Sequence, residues 1–164
     1  MQQIHETWSP DRAAAIIAEH SRRPGATLPI LHALQEAFGC VPPAAVPLVA
    51  EALNLSRAEV HGVVSFYHDF RATPPGRTVV KLCRAEACQA VGSEALAAAV
   101  ERRLGVATGE TTPDGRVTLE AVYCLGNCAC GPAGLIDGKL EALLDADKVE
   151  ARIAAAERGR GQAR

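Results

Sequence analysis

Apolar positions recur at helical spacing through the first half of the chain and at alternate positions through much of the second, so the period changes once. In the first half, Ser9 can cap a helix with Pro10 at its first position and apolar residues through 13–18. This helix is weakly amphipathic and is expected to lie against another subunit. A second helix opens near Pro29; Ile30, Leu31, Leu34, Ala37 and Phe38 share one face, and Gly39 ends it. A third follows Pro42 and Pro43, with Val46, Val49, Ala50 and Leu53 on one stripe. A fourth starts at Ser56, where Ser56 and Glu59 match a capping box, and Val60, Val63, Val64 and Tyr67 form its apolar face.

Residues 72–76, A-T-P-P-G, break the helical pattern and read as a linker. Residues 78–82 are rich in β-branched side chains, predict a buried strand, and run straight into Cys83. A helix over 93–104 carries Leu96, Val100 and Leu104 in line, and Pro113-Asp114-Gly115 signals a turn. Val117, Leu119, Ala121 and Tyr123 alternate, predicting a second strand that ends at Cys124. Two short strands are expected around 135–136 and 140–144, joined by Asp137-Gly138 as a tight hairpin turn. A last helix over 145–156 shows Val149 and Ile153 on one side, and the Gly- and Arg-rich tail from Arg158 is expected to fray. The order strand, helix, strand, strand, strand, helix predicts a small α/β sandwich in the manner of thioredoxin. The fold class is thus α+β or α/β: an N-terminal helical bundle over 1–75, a thioredoxin-like domain with a mixed four-stranded sheet over 76–157, and a flexible tail over 158–164.

Composition narrows the function classes. Of 164 residues, 48% are hydrophobic and 22% charged, as in a soluble globular protein. Aromatic residues are only 4%, which argues against a base-stacking platform. A net charge of −2 gives no single-signed field toward nucleic acid or anionic lipid. Apolar stretches are broken by Pro, Gly or charge well before the roughly 20 residues of a spanning helix, so no membrane insertion is expected. Residues 1–10 contain no apolar run of the kind a signal peptide needs. A cytoplasmic location follows as the expectation, and in that compartment the six cysteines are expected as ligands or free thiols rather than as a disulfide framework.

Four of those cysteines carry the chemistry. Cys83 and Cys88 form C-R-A-E-A-C, and Cys124 and Cys128 form C-L-G-N-C, with residues 89–123 between the pairs. Four thiolates gathered in a reducing compartment hold a metal or an iron–sulfur cluster. A [2Fe–2S] cluster needs two thiolates on each iron, and two short-loop pairs supply them with little ordering cost. Its anionic sulfurs need backbone N–H groups, so Gly126 and Gly131 are expected to take positive φ and bring backbone close. The helix from Ser93 is expected to aim its positive end at the site.

Other readings fit the spacing less well. A structural zinc site takes four cysteines but favours C-x2-C knuckles. The C-x-x-C of a redox dithiol is absent, as is the C-x2-C step of plant-type ferredoxins. Cys40 is expected to be a small buried hydrophobe, and the C-x-C formed with Cys130 leaves open which of Cys128 and Cys130 completes the set, the compact C-x3-C loop favouring Cys128. His5, His20, His32, His61 and His68 show no i, i+4 pairing and read as structural or surface residues. G-x-S-x-G, the P-loop and G-x-G-x-x-G are all missing, so no catalytic residue or nucleotide site is expected on this chain.

The residues resemble a known family across almost the whole chain. L-P-I-L-H-A-L-Q-E-A-F-G and V-H-G-V-V-S-F-Y, then C-x4-C and C-L-G-N-C followed by G-P-A, are similar to the thioredoxin-like [2Fe–2S] subunit beside the NADH-binding flavoprotein of respiratory complex I, its 24 kDa subunit. The resemblance implies one [2Fe–2S] cluster on Cys83, Cys88, Cys124 and Cys128, with Cys130 not a ligand. Within the family, F-Y-H-D-F-R and C-R-A-E-A-C-Q-A look most like the gamma subunit of cytoplasmic NAD-dependent, molybdenum-containing formate dehydrogenase. That branch implies a beta subunit with FMN, an iron–sulfur cluster and the NAD site as direct partner, and an alpha subunit with molybdopterin. The whole would oxidise formate to CO2 and reduce NAD+, this chain exchanging electrons with the flavin and the helical half docking on the flavoprotein. The alternatives are the equivalent subunit of complex I or of NAD-reducing hydrogenase, and, from another class, a zinc-stabilised interaction module.

Overall fold

A computed structural model describes residues 5–161. The first four residues, and with them part of the segment read as lacking a signal peptide, lie outside the described residues, as do 162–164. The chain divides into two compact units, Met1–Pro74 and Pro75–Arg164.

The first unit holds α1 (Pro10–His20), α2 (Thr27–Phe38), α3 (Ala45–Leu53) and α4 (Arg57–Phe66). Local sequence sets their ends. Ser9 Oγ accepts the Arg12 N–H at the start of α1, and Ser56 and Glu59 close a reciprocal capping box at the start of α4. Gly39 (φ 76°) and Asn54 (φ 51°) stop α2 and α3 in the left-handed conformation that unwinds a C-terminus. The helices enclose one apolar cluster that includes Ile16, Ile17, Ile30, Leu31, Leu34, Phe38, Val49 and Val60. Contrary to the sequence expectation, α1 does not present its apolar side to a partner: Ala13, Ile16 and Ile17 are buried within this unit. Nor does Tyr67 extend the buried face of α4. The helix ends at Phe66 and Tyr67 is extended (φ −90°, ψ 100°) and 44% exposed, while Val60 is fully buried in the core and Val63 and Val64 pack against it partly buried. The segment after α4 is instead pinned by Gln35, whose side chain donates to Asp69 O (2.7 Å) and accepts from Arg71 N (2.8 Å). Leu34 is fully buried at the centre of this cluster. Leu34→Ala should therefore lower the stability of the unit by about 2–5 kcal/mol in urea or thermal unfolding.

The second unit contains β1 (Thr78–Cys83), α5 (Glu86–Ala90), α6 (Ser93–Leu104), β2 (Val117–Val122), a 3-10 turn (Cys128–Cys130), β3 (Gly134–Ile136), β4 (Lys139–Glu141) and α7 (Ala146–Gly161). The sheet order is β2-β1-β3-β4; β1 runs parallel to β2 and antiparallel to β3. A mixed sheet of four strands was expected and is present. Asp137 (φ 48°) and Gly138 (φ 76°) join β3 to β4 in the two-residue hairpin that positive φ at both positions permits. Val80, Leu82, Val117, Leu119 and Ile136 form the sheet side of the core, closed by Leu96, Ala97 and Val100 of α6 and by Val149 and Ile153 of α7. On the register Lys81↔Glu120, the two side chains make a cross-strand ion pair of 3.2 Å.

The structure departs from the sequence expectation in four places here. The short helix α5 was not foreseen. β2 ends two residues before Cys124, and Tyr123 is 73% exposed rather than the last inward position of a strand. β4 stops at Glu141, and Leu143 takes φ 49° where a strand had been expected to continue. The helix α7 continues through Arg158, where the tail was expected to begin, to Gly161. Arg160 accounts for that extension: its guanidinium donates to Arg77 O (2.9 Å), to Asp137 Oδ2 (3.2 Å) and to Thr78 Oγ1.

Candidate metal centre

The sequence places the first cysteine pair where a strand hands over to a helix. Cys83 is the last residue of the central strand β1, and Cys88 sits in α5. Both are 2% exposed and pack with Ala133 in a small cluster that Ala85, Val122 and Leu125 flank. The second pair lies beyond the end of β2. Cys124 adopts φ 62°, Cys128 opens the 3-10 turn, and both are exposed. A non-glycine residue with positive φ costs of order 1 kcal/mol, and here it turns the chain back so that the N–H groups of Cys124 and Leu125 face β1.

The two loops interlock at the sulfur of Cys83. Hydrogen bonding from the backbone of Ala85 in its own loop and of Cys124 and Leu125 in the other, together with Cys88, favours its thiolate. Burial pushes the Cys83 thiol up, but these donors together outweigh burial and bring it below its ordinary value. Burial holds the Cys88 thiol above its ordinary value, with the neighbouring sulfurs of Cys83 and Cys128 adding to it against an opposing N–H bond from Ala133. Cys124 and Cys128 Sγ stand 3.9 Å apart, and Cys128 is raised by its hydrogen bond and charge interaction with Cys124. Cys83 and Cys88 are buried together, while Cys124 and Cys128 are exposed with their sulfurs in contact. Among the described residues, no three His, Cys, Asp or Glu side chains gather around one point as they would for a single ion.

The donor set fits an anionic iron–sulfur cluster: four thiols, with backbone N–H groups that lower the Cys83 thiol and oppose the rise at Cys88. Gly131 supports the same reading by close approach rather than by the positive φ expected of it. Its φ is −72°, but a Cβ there would stand 2.9 Å from Val91 Cγ2 and 3.4 Å from Cys88 Sγ. Gly126 does have positive φ (75°), with open space around it. The first turn of α6 brings Glu94 toward the first cysteine loop, where its carboxylate accepts from Arg84, the residue after Cys83. Cys40 is buried in the other unit, and burial raises its thiol. Cys130 is exposed, with its N–H on Asn127 O (3.1 Å) and its carbonyl accepting from Leu143 N (2.9 Å). Sequence reasoning missed the donors Ala85, Leu125 and Ala133. The G-P-A run after the second pair was the available signal, since Ala133 is the residue whose N–H reaches Cys88.

Comparison with known proteins gives a consistent set of relatives. The thioredoxin-like [2Fe–2S] ferredoxin family matches residues 13–157. One of the NADH-quinone oxidoreductase subunits of Rhizobium meliloti is 36% identical over 153 residues, 88% of this chain and 91% of the relative. The NADP-reducing hydrogenase subunit HndA of Solidesulfovibrio fructosivorans is 32% identical over 119 residues, 73% of this chain and 70% of the relative. Among solved structures, a chain of an air-oxidised NAD+-reducing [NiFe]-hydrogenase superposes with a TM-score of 0.65 at 28% identity over 79% of this chain. The match spans only 23% of that hydrogenase chain.

Proposed function

The chain belongs to the thioredoxin-like [2Fe–2S] ferredoxin family, and on that premise we propose that it is the electron-transfer subunit of an NAD-linked oxidoreductase, holding one [2Fe–2S] cluster on Cys83, Cys88, Cys124 and Cys128. The observation that carries this reading is the placement of two cysteine pairs at the strand ends of one unit, Cys83 and Cys88 buried together beside Ala133 and Cys124 and Cys128 exposed with their sulfurs 3.9 Å apart. When bound, the cluster supplies one-electron transfer that no side chain here can perform. The chain's own residues do the rest. Ala85, Cys124, Leu125 and Ala133 spread negative charge off the sulfurs through their N–H groups, buried Cys83 and Cys88 keep water from one side, and exposed Cys124 and Cys128 leave the other open to a partner.

The finer proposal is the gamma subunit of a cytoplasmic NAD-dependent formate dehydrogenase, exchanging electrons with FMN on an NADH-binding beta subunit while a molybdopterin alpha subunit oxidises formate. F-Y-H-D-F-R and C-R-A-E-A-C-Q-A support it. The names of the relatives favour a second reading, the equivalent subunit of complex I or of an NAD-reducing hydrogenase. Metal and flavin content of the complex drawn gently from native cells through this subunit separates them. Molybdenum with iron and flavin is the expected result. Nickel in place of molybdenum points to a hydrogenase, membrane subunits without either metal point to complex I, and zinc without iron removes the electron-transfer reading altogether.

A further inference from the structure

The candidate centre is asymmetric toward solvent. Cys83 and Cys88 are each 2% exposed, whereas Cys124 and Cys128 are exposed and their sulfurs lie 3.9 Å apart. An oxidant dissolved in water therefore meets the second pair first, and meets it already close enough for one sulfur to reach the other with a small rotation. Cys130 is exposed too, but its backbone is tied at both ends, to Asn127 O and to Leu143 N, and the close sulfur approach is between Cys124 and Cys128. Cys40 is 3% exposed.

We infer that in the cluster-free chain Cys124 and Cys128 are a reversible oxidation site, closing as a disulfide under a hydroperoxide while Cys83 and Cys88 stay reduced. The step balances with hydrogen peroxide as oxidant. One thiol sulfur displaces water from the peroxide and becomes a sulfenic acid; the second sulfur displaces its hydroxyl as a second water. Two S–H bonds and one O–O bond are lost, one S–S bond and two O–H bonds form, and each peroxide oxygen gains one electron as the two sulfurs together lose two. A disulfide removes two thiolates, so the crosslinked chain cannot take up iron until a dithiol reduces it. That consequence rests on the proposed ligand set; the order of oxidation does not.

The test uses the full-length, cluster-free, reduced chain with equimolar hydrogen peroxide. Free thiols are then alkylated in denaturant and mapped by peptide mass, and a parallel sample is offered ferrous iron and sulfide with and without dithiothreitol. The expected map is a single crosslink between Cys124 and Cys128, with near-complete loss of iron uptake that dithiothreitol restores. Cys130→Ser should leave both results unchanged. A first crosslink between Cys83 and Cys88, one that needs Cys130, no crosslink, or full iron uptake by the crosslinked chain would each overturn the proposal. A reduced chain that takes up no iron contradicts the ligand reading instead, and the mapped crosslink still decides the oxidation site.

Discussion

Cys83→Ser and Cys128→Ser are expected to abolish the red-brown colour and the reduced-state EPR signal of this protein, and Cys130→Ser is expected to leave both intact. Cys83 carries the larger effect. It is buried at the end of β1, and the backbone of Ala85, Cys124 and Leu125, from both loops, lowers its thiol. A serine oxygen there can accept the same N–H groups but is a shorter, harder and far less acidic donor to iron than a thiolate. The buried side of the site would lose both a ligand and the fit that aligns the others. Cys128 is exposed and its loss disturbs no core, so that variant separates ligation from folding. Bound iron and acid-labile sulfide should fall to near background in both variants while far-ultraviolet circular dichroism of the Cys128 variant is unchanged. In the parent chain the potential should lie at roughly −400 mV or somewhat above, on the scale of all-cysteine [2Fe–2S] clusters in plant-type ferredoxins. An EPR signal retained in Cys128→Ser and lost in Cys130→Ser would reverse the assignment between these two residues.

How far the sequence led depended on what each element rests on. Helix ends written in side chains were legible: Ser9, Gly39, and Ser56 with Glu59 all stand where local chemistry put them. So was the sheet, because Val80, Val117, Leu119 and Ile136 must face one core. The candidate site was legible in its sulfurs and not in its supports. Alternation carried the reading of β2 on to Tyr123, but the backbone turns there so that the N–H groups of Cys124 and Leu125 reach Cys83, a long-range demand that a period of two does not encode. α5 is five residues long, too short for a helical period to declare itself. Tyr67 had the spacing of a core residue, yet the core of the first unit closes over Val60 and Phe70 without it. Arg160 looked like part of a frayed tail because its partners, Arg77, Thr78 and Asp137, are distant in sequence.

Removing residues 1–74 should leave a chain that still folds and takes up the cluster but no longer brings down a flavoprotein partner. The first half of this expectation follows from the cores. Each unit buries its own apolar cluster: Ile30, Leu31 and Leu34 in the first, Val80, Leu119 and Val149 in the second. All four proposed ligands, and the N–H groups on their sulfurs, belong to the unit that remains. The second half rests on the proposed function. A carrier that only exchanged electrons would need the cysteine-bearing unit alone, whereas the helical unit leaves Phe66 73% exposed and Tyr67 44% exposed beside the end of α4, the kind of aromatic surface that anchors a protein interface. Co-purification of flavin should therefore fall to background in the truncated chain while iron per chain stays at the parent value. Phe66→Ala in the full chain, which removes surface rather than core, should weaken capture of the flavoprotein without changing iron content. Flavin retained in full by the truncated chain would move the docking surface to the cysteine-bearing unit, and iron lost on truncation would show that the second core does not hold the centre unaided.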